Sequence, residues 1–299
     1  MPEPRSEFRE ALPFLRQLML EAGRKLLEVR EHLKVDRKGP VDLVTELDLE
    51  LEELLVDALR RRFPGWAVVS EEGRARDDAL RRPCWYVDPL DGTTNFVHGH
   101  PFHVISVGAW EGKQPLGGMV YAPVLDELFV ATAGHGATLE HPSRGRSTQP
   151  LTVRACPDLA RALLATGFPY QRGEICRLNL RCAGEALRRA QGLRRGGSAA
   201  LDLCYLAAGR LDGFWEPTLR PWDVAAGSVI AREAGAVVSD YTGGDGFLWG
   251  RRIVAAGPAV HPQLLEMLRD AHAHPEEWPL GAPLSGPVPL VPGEGEEDS

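Results

Sequence analysis

The stretch WYVDPLDGTTNF, residues 85–96, decides how this chain is read. The apolar run Cys84 to Val87 has strand character and delivers Asp88 at its C-terminal end. Pro89 fixes a turn, Leu90 follows, and Asp91 then projects beside Asp88. Next come Gly92, Thr93 and Thr94, where a helix or turn can begin with free backbone N–H groups. Two carboxylates with a carbonyl between them suit a pair of hard cations, Asp88 bridging and Asp91 on one side. Mg²⁺ takes oxygen ligands in octahedral geometry and keeps waters and a substrate phosphate in its shell. The N–H groups of Gly92 and Thr93 would cradle phosphate oxygens. Taken alone, D-P-x-D equally suits an ordinary turn built on Asp-Pro and Asp-Gly.

Acidic residues elsewhere tip that balance. Glu71 follows the strand-like run WAVVS (66–70), so it is another carboxylate at a strand's C-terminal edge. Asp223 opens the helical stretch DVAAGSVIAREAG after Pro221 and Trp222. Helix capping accounts for Asp223 alone, and strand-end solubility for Glu71 alone. Glu71, Asp88, the Leu90 carbonyl, Asp91 and Asp223 together would complete a two-metal site.

Around this centre the chain reads as two halves. Residues 1–145 begin with apolar residues at helical spacing (Phe8, Leu12, Leu15, Met19, Ala22, Leu26), which predicts a long amphipathic helix. Thr45 and Asp48 resemble a capping box starting a second helix that Pro64-Gly65 ends. Short β-rich runs then follow at 66–70, 84–87, 102–110, 117–122 and 127–133. The polar, turn-rich stretch 136–150 reads as a seam. Residues 146–274 alternate strand-like and helical segments, as in an α/β layered half. The last stretch, 275–299, has six prolines, four glycines and an acidic end, and reads as a mobile extension.

Composition narrows the function classes. The 299 residues are 43% hydrophobic and 25% charged, which excludes disorder throughout. No run of about 18 apolar residues is present, so no membrane partner is expected. The opening MPEPRSEFRE lacks an apolar secretory core. Five cysteines without a CxxC pair point to a reduced, cytoplasmic protein with no disulfide framework or structural zinc. A net charge of −8 gives no support for nucleic-acid binding.

Four segments together resemble the signature blocks of the inositol monophosphatase family, the Mg²⁺-dependent, lithium-sensitive sugar phosphatases. They are PVDLVTELD (40–48), VVSEEG (68–73), WYVDPLDGTTNFVHG (85–99) and PWDVAAGSVIAREAG (221–235). The resemblance implies an α/β layered αβαβα fold with an α+β N-terminal half, and a homodimer. It implies two to three Mg²⁺ ions: one on Glu71, Asp88 and the Leu90 carbonyl, one on Asp88, Asp91 and Asp223, and a weaker third near Glu71. Asp48 and Thr93, with Glu71, match the group that orients the attacking water. Gly92 and Thr93 match the phosphate-contacting turn, and Arg194, Gly197, Ser198, Ala199 and Glu216 match the wall of the sugar pocket. Which of Arg37 and Lys38 corresponds to the family's loop lysine stays open. Arg220 falls in a wall segment, EPTLRPWD, that varies among members.

The implied activity is hydrolysis of a small polyol or sugar phosphate, myo-inositol 1-phosphate first, by in-line attack of metal-activated water. Fructose 1,6-bisphosphate and 3′-phosphoadenosine 5′-phosphate are alternatives on the same site. A non-catalytic regulatory binding protein is the alternative from another class. Other signals are weaker. His98, His100 and His103 lie in a turn entering a strand, so successive rings point to opposite sides. The two C-x5-R spacings, at Cys182 and Cys204, fall within helical patterns and lack a phosphate-cradling loop.

Overall fold

The computed structural model describes residues 4–33, 40–71, 73, 82–145, 147–169 and 173–273. The expected tail at 275–299, together with Arg37 and Lys38, lies outside the described residues. Helix α1 (Pro4–Leu33) is followed by α2 (Pro40–Arg62) and the strands β1 (Ala67–Ser70) and β2 (Pro83–Asp91). A short helix α3 (Thr93–Val97) leads into β3 (Val104–Glu111), β4 (Gln114–Ala122), β5 (Glu127–Thr132), β6 (Ala137–Glu140) and β7 (Thr148–Pro150). These seven strands form one sheet in chain order, with β1 parallel to β2 and the remaining pairs antiparallel.

The second half comprises β8 (Leu163–Thr166), α4 (Glu174–Arg189), β9 (Gly192–Arg194), α5 (Ala199–Ala207) and β10 (Gly213–Pro217). It continues with α6 (Pro221–Glu233), β11 (Val237–Ser239), α7 (Phe247–Gly250), β12 (Arg252–Ala256) and α8 (His261–Ala273). Its five strands pair in the order β11-β12-β10-β8-β9.

Strand alternation sorts the side chains into three cores. Trp85 and Val87 of β2 face α1 and α2, where Phe8, Leu15, Leu51 and Leu55 are fully buried. Trp66 and Trp85 stack there with ring centroids 4.7 Å apart. Cys84 and Tyr86 face the opposite way, into a core shared with α5, α6 and one face of the second sheet. Leu164, Trp215 and Val254 on the far face of that sheet pack against α4 and α8. The layers therefore run αβαβα, as the resemblance implied.

Helix α6 approaches the first sheet closely because both surfaces are nearly bare of side chains. A Cβ on Gly108 of β3 would lie 2.6 Å from the Ala226 nitrogen, and one on Gly118 of β4 would lie 2.6 Å from the Ala226 carbonyl oxygen. On its other side α6 meets α5 through Gly227, where a Cβ would lie 2.8 Å from Leu203 Cβ. The Trp110 indole nitrogen donates to the Ala225 carbonyl at 3.0 Å and fixes the helix along the sheet. The stretch Ala225-Ala226-Gly227 is thus a backbone-contact surface, and it sets the position of Asp223 one half-turn before it.

Three local expectations are corrected. Helix α2 begins at Pro40 rather than at Thr45, since a first-turn proline lacks only a donor that the first turn leaves unused. The stretch 136–150 is not a seam: it forms β6 and β7, because alternation buries Ala137 and Leu139 on the sheet's inner face. The strand at 84–87 does not stop at Asp88 but runs through Pro89 and Leu90 to Asp91.

Candidate active site

That last correction explains how two aspartates reach one face. In a regular strand Asp88 and Asp91 would point to opposite sides. Asp88 pairs with Ser106 and Asp91 with Val104, so the register shifts and β2 carries one extra residue between them. Pro89, without an N–H to give the ladder, sits in this bulge. Leu90 turns into the α1–α2 core, 2% exposed, and Asp91 turns with Asp88 toward the middle helices. Gly92 follows at φ 92°, a left-handed conformation that starts α3. A Cβ there would lie 2.8 Å from the Phe102 carbonyl and 3.2 Å from that of Gly197, so glycine is required on both counts.

Each aspartate is held by its own partners. The Leu90 amide donates to Asp88 Oδ1 at 3.0 Å. The Ser198 hydroxyl and the Ala200 amide donate to Asp91 Oδ2 at 2.7 and 2.8 Å, which ties β2 to the start of α5. The Arg220 amide donates to Asp223 Oδ2 at 2.7 Å. Thr93 donates its hydroxyl to the Leu90 carbonyl at 3.1 Å.

The electrostatics show that these groups face one another. Burial pushes the Asp88 carboxyl well above the usual range, and the charges of Glu71, Asp91 and Asp223 push it further. Burial raises Asp91 to about 6 against the bonds from Ser198 and Ala200 and the Arg195 charge, which hold it down. Burial and then the Asp91 charge raise Asp223 to about 7. Acids from the β1 end, the β2 bulge and the α6 start thus converge on one place. Among the described residues no group of three or more His, Cys, Asp or Glu side chains is closed into metal-binding geometry. The aspartate oxygens named above accept from backbone and hydroxyl donors instead. The donor set nonetheless fits a hard cation, because it consists of carboxylates and a carbonyl with no imidazole or thiolate. Buried like charges that raise each other's pKa are relieved when a cation lies among them.

The remaining predicted residues fall in two places. Ser198 caps α5, its hydroxyl oxygen accepting from the Leu201 amide at 3.2 Å, and Ala199 begins the helix. Gly197 holds φ 88°, and a Cβ on it would strike the Arg195 guanidinium and lie 2.9 Å from the Asn95 side-chain nitrogen. Glu216 of β10 is raised by burial and by Asp202, Asp223 and Asp91, so it faces the same acids. Asp48 is half-buried on α2, and Glu71 is exposed just after β1. Arg194 is exposed, donates to the Leu193 carbonyl at 3.0 Å, and lines a cleft with Arg154, Gln191 and Arg210.

Sequence reading missed three neighbours. Asn95 of α3 donates to the Phe102 carbonyl at 2.6 Å and the Gly196 carbonyl at 2.9 Å, latching the DGTT turn to the RRGGS loop. Asp202 of α5 is 5% exposed, and burial with the Asp91 charge raises it to about 8. Arg195, not Arg194, carries the charge felt by Asp91, Asp202 and Glu216. Alternation at the end of β9 was the available signal, since adjacent arginines there cannot share a face.

Similarity to known proteins agrees with this picture. Residues 7–273 match the model of the inositol monophosphatase family. The Nus factor SuhB of Vibrio cholerae is 38% identical over 247 residues, covering 82% of this chain and 90% of that protein. The structure of inositol monophosphatase from Anabaena (Nostoc) is similar with a TM-score of 0.77 and 34% identity, over 88% of this chain and 97% of that one. Mycobacterium tuberculosis SuhB is similar with a TM-score of 0.72 and 35% identity, over 85% and 94%. With an αβαβα architecture and this acidic centre, the chain belongs to the inositol monophosphatase family.

Proposed function

We propose that the protein is a Mg²⁺-dependent phosphomonoesterase that hydrolyses a small polyol or sugar phosphate, with myo-inositol 1-phosphate the substrate to which the family points. The observation that carries this is the mutual action of Glu71, Asp88, Asp91 and Asp223, drawn from three separate parts of the chain onto one place. Glu71, Asp88, the Leu90 carbonyl, Asp91 and Asp223 would hold two to three ions. Bound Mg²⁺ supplies positive charge to the phosphate and the leaving oxygen and lowers the pKa of water. Glu71 and Thr93 position the attacking water, with Asp48 orienting Thr93. Gly92 and Thr93 offer backbone N–H groups to phosphate oxygens. Gly197, Ser198, Ala199 and Glu216 line the polyol side, Glu216 accepting from ring hydroxyls, whereas Arg194 lines the separate cleft with Arg154 and Arg210. In the reaction water adds to phosphorus, the ester P–O bond breaks, and the alcohol leaves with a proton.

In keeping with a reducing cytoplasm, all five cysteines are free and buried. No helix among the described residues is long and apolar enough to cross a membrane. A homodimer is part of the same proposal, as is a division of the chain into two halves, placed after β7 because β7 pairs with β6 in the first sheet. Phosphate release from myo-inositol 1-phosphate, with and without Mg²⁺, tests the activity. Asp91→Asn is expected to lose nearly all turnover while keeping the circular dichroism of the parent, and near-parental kinetics at saturating Mg²⁺ would refute the site. The second reading, a Nus factor as in the name of the Vibrio cholerae relative, rests on 38% identity. A cellular role that survives Asp91→Asn would favour it.

A further inference from the structure

Asn179 of α4 is 2% exposed, inside the layer where α4 and α8 cover the second sheet. A buried amide is tolerated only when its donors and acceptor are matched, and here they are. The Trp215 indole nitrogen donates to Asn179 Oδ1 at 2.8 Å, and Asn179 Nδ2 donates to the Gly167 carbonyl at 2.6 Å. Nδ2 also donates to the Thr166 hydroxyl oxygen at 3.3 Å, and that hydroxyl donates to the Trp215 carbonyl at 2.7 Å. The indole can only donate and the Gly167 carbonyl can only accept, so these two partners fix which way the amide faces.

These bonds matter because of where they end. Strands β8 and β10 pair in parallel, and their last register pair is Thr166 with Trp215. Gly167 lies one residue beyond that pair, and Glu216 is the residue after Trp215. Asn179 takes over where the strand ladder stops, holding the Gly167 carbonyl to the Trp215 side chain. Trp215 faces α4, so alternation turns Glu216 to the opposite face, toward the acidic centre. There its carboxyl group leans on bare backbone: a Cβ on Gly167 would strike both carboxyl oxygens. Among the described residues no hydrogen bond reaches that carboxyl, so the wall it leans on sets its place.

We propose that Asn179 is a positioning residue, which holds Gly167 and through it places Glu216 to meet a polyol hydroxyl. This rests on the phosphatase reading above and on the place given there to Glu216. Asn179→Leu keeps the volume but leaves the Gly167 carbonyl and the Trp215 indole unmatched. Gly167 then shifts, and the Glu216 carboxyl with it. A hydrogen bond to a carboxylate is a factor of about 10 to 100 in binding, and a displaced acceptor loses part of that. Asn179→Leu is therefore expected to raise KM for myo-inositol 1-phosphate about 5-fold to 30-fold, with kcat within about threefold. The ester p-nitrophenyl phosphate carries no ring hydroxyl, so its kcat and KM are expected to stay within about twofold of the parent. Thr166→Val removes only the hydroxyl link, and a KM rise of about threefold is expected on the inositol ester alone.

The experiment measures kcat and KM for both esters at fixed Mg²⁺, with melting temperatures alongside. It uses the parent, Glu216→Ala, and Asn179→Leu and Thr166→Val, each alone and combined with Glu216→Ala. A KM rise confined to the inositol ester, and absent once Glu216 is already alanine, supports the proposal. Where Asn179→Leu does not fold, Thr166→Val and its combination with Glu216→Ala give the same reading. Parental kinetics in the variants, equal losses on both esters, or a loss that persists in full without the Glu216 carboxyl overturn it and leave the phosphatase reading standing. A parent that hydrolyses only p-nitrophenyl phosphate does the same. Hydrolysis of neither ester by the parent refutes the phosphatase reading, and this proposal with it.

Discussion

Replacing Gly108 with alanine would put a methyl carbon 2.6 Å from the Ala226 nitrogen and 2.7 Å from the Ala225 carbonyl carbon and Cβ. Ordinary contact begins at 3.4 Å, so α6 must withdraw from the sheet by about 0.8 Å or the strand must buckle by as much. Overpacking of this size costs about 1–3 kcal/mol, and the melting temperature is expected to fall by about 2–10 °C. The larger effect is on chemistry. Asp223 sits at the start of the displaced helix, and a misplacement near 1 Å in a reacting constellation costs on the order of 100-fold in rate.

The expected outcome for Gly108→Ala is therefore a folded enzyme with kcat lowered about 30-fold to 100-fold at saturating Mg²⁺. Gly65→Ala is the control, because a Cβ there meets nothing within 4 Å. Trimming Ala225 to glycine relieves only the side-chain contact and leaves two contacts to helix backbone, so the double variant stays impaired. Steady-state kinetics and a thermal melt on the same preparation decide the matter. A Gly108→Ala variant that melts early but keeps its kcat would refute the claim that α6 seating governs Asp223.

Further predictions concern charge. Asp91→Asn removes a buried acid whose ionised form is disfavoured, so metal-free protein at pH 8 should gain about 1–3 kcal/mol in urea unfolding, and Mg²⁺ should stabilise the parent more than the variant. Asp91 and Asp223, raised to about 6 and about 7, bind protons more tightly in the folded chain than in the unfolded one. Their contribution to metal-free stability is thus present in full below about pH 4 and is lost as pH rises toward 7. A pH series with and without Mg²⁺ should show the divergence growing over that range, and parallel curves would contradict it. His103 has the opposite sign: burial pushes the ring down to about 4, so the unfolded chain takes up the proton first and stability is lost as pH falls from 6.5 toward 4. His103→Gln should remove up to about 3 kcal/mol of that acid-limb loss, read as the difference between two urea series.

What the sequence made legible depended on how local the cause was. The amphipathic face of α1 and the strand runs of β3 to β5 follow from side-chain periodicity alone, which neighbours in the chain set. The acidic positions were visible because Asp88, Asp91 and Asp223 sit at ends of elements where apolar patterning stops. The bulge between Asp88 and Asp91 was not visible, since Pro89 suits a turn as well as an irregular strand, and only pairing with β3 distinguishes them. The same holds for Gly108 and Gly118, whose reason is a helix more than a hundred residues away in the chain. Two strands of modest propensity, β6 and β7, form because the growing sheet offers them an edge to pair with.

These separate failures share one physical consequence for the site. Its residue types are written locally, but its dimensions are set by backbone approach: α6 against the glycines of β3 and β4, α5 against Gly227, and the DGTT turn against Phe102 and Gly197. At each of these places a missing side chain, not a present one, fixes how near two carboxylates come. Substitutions that leave every acid in place should therefore tune activity by moving elements. Adding a Cβ at Gly92 should be as damaging as removing Asp91, because it forces apart the carbonyls of Phe102 and Gly197 and demands a strained φ at the same residue.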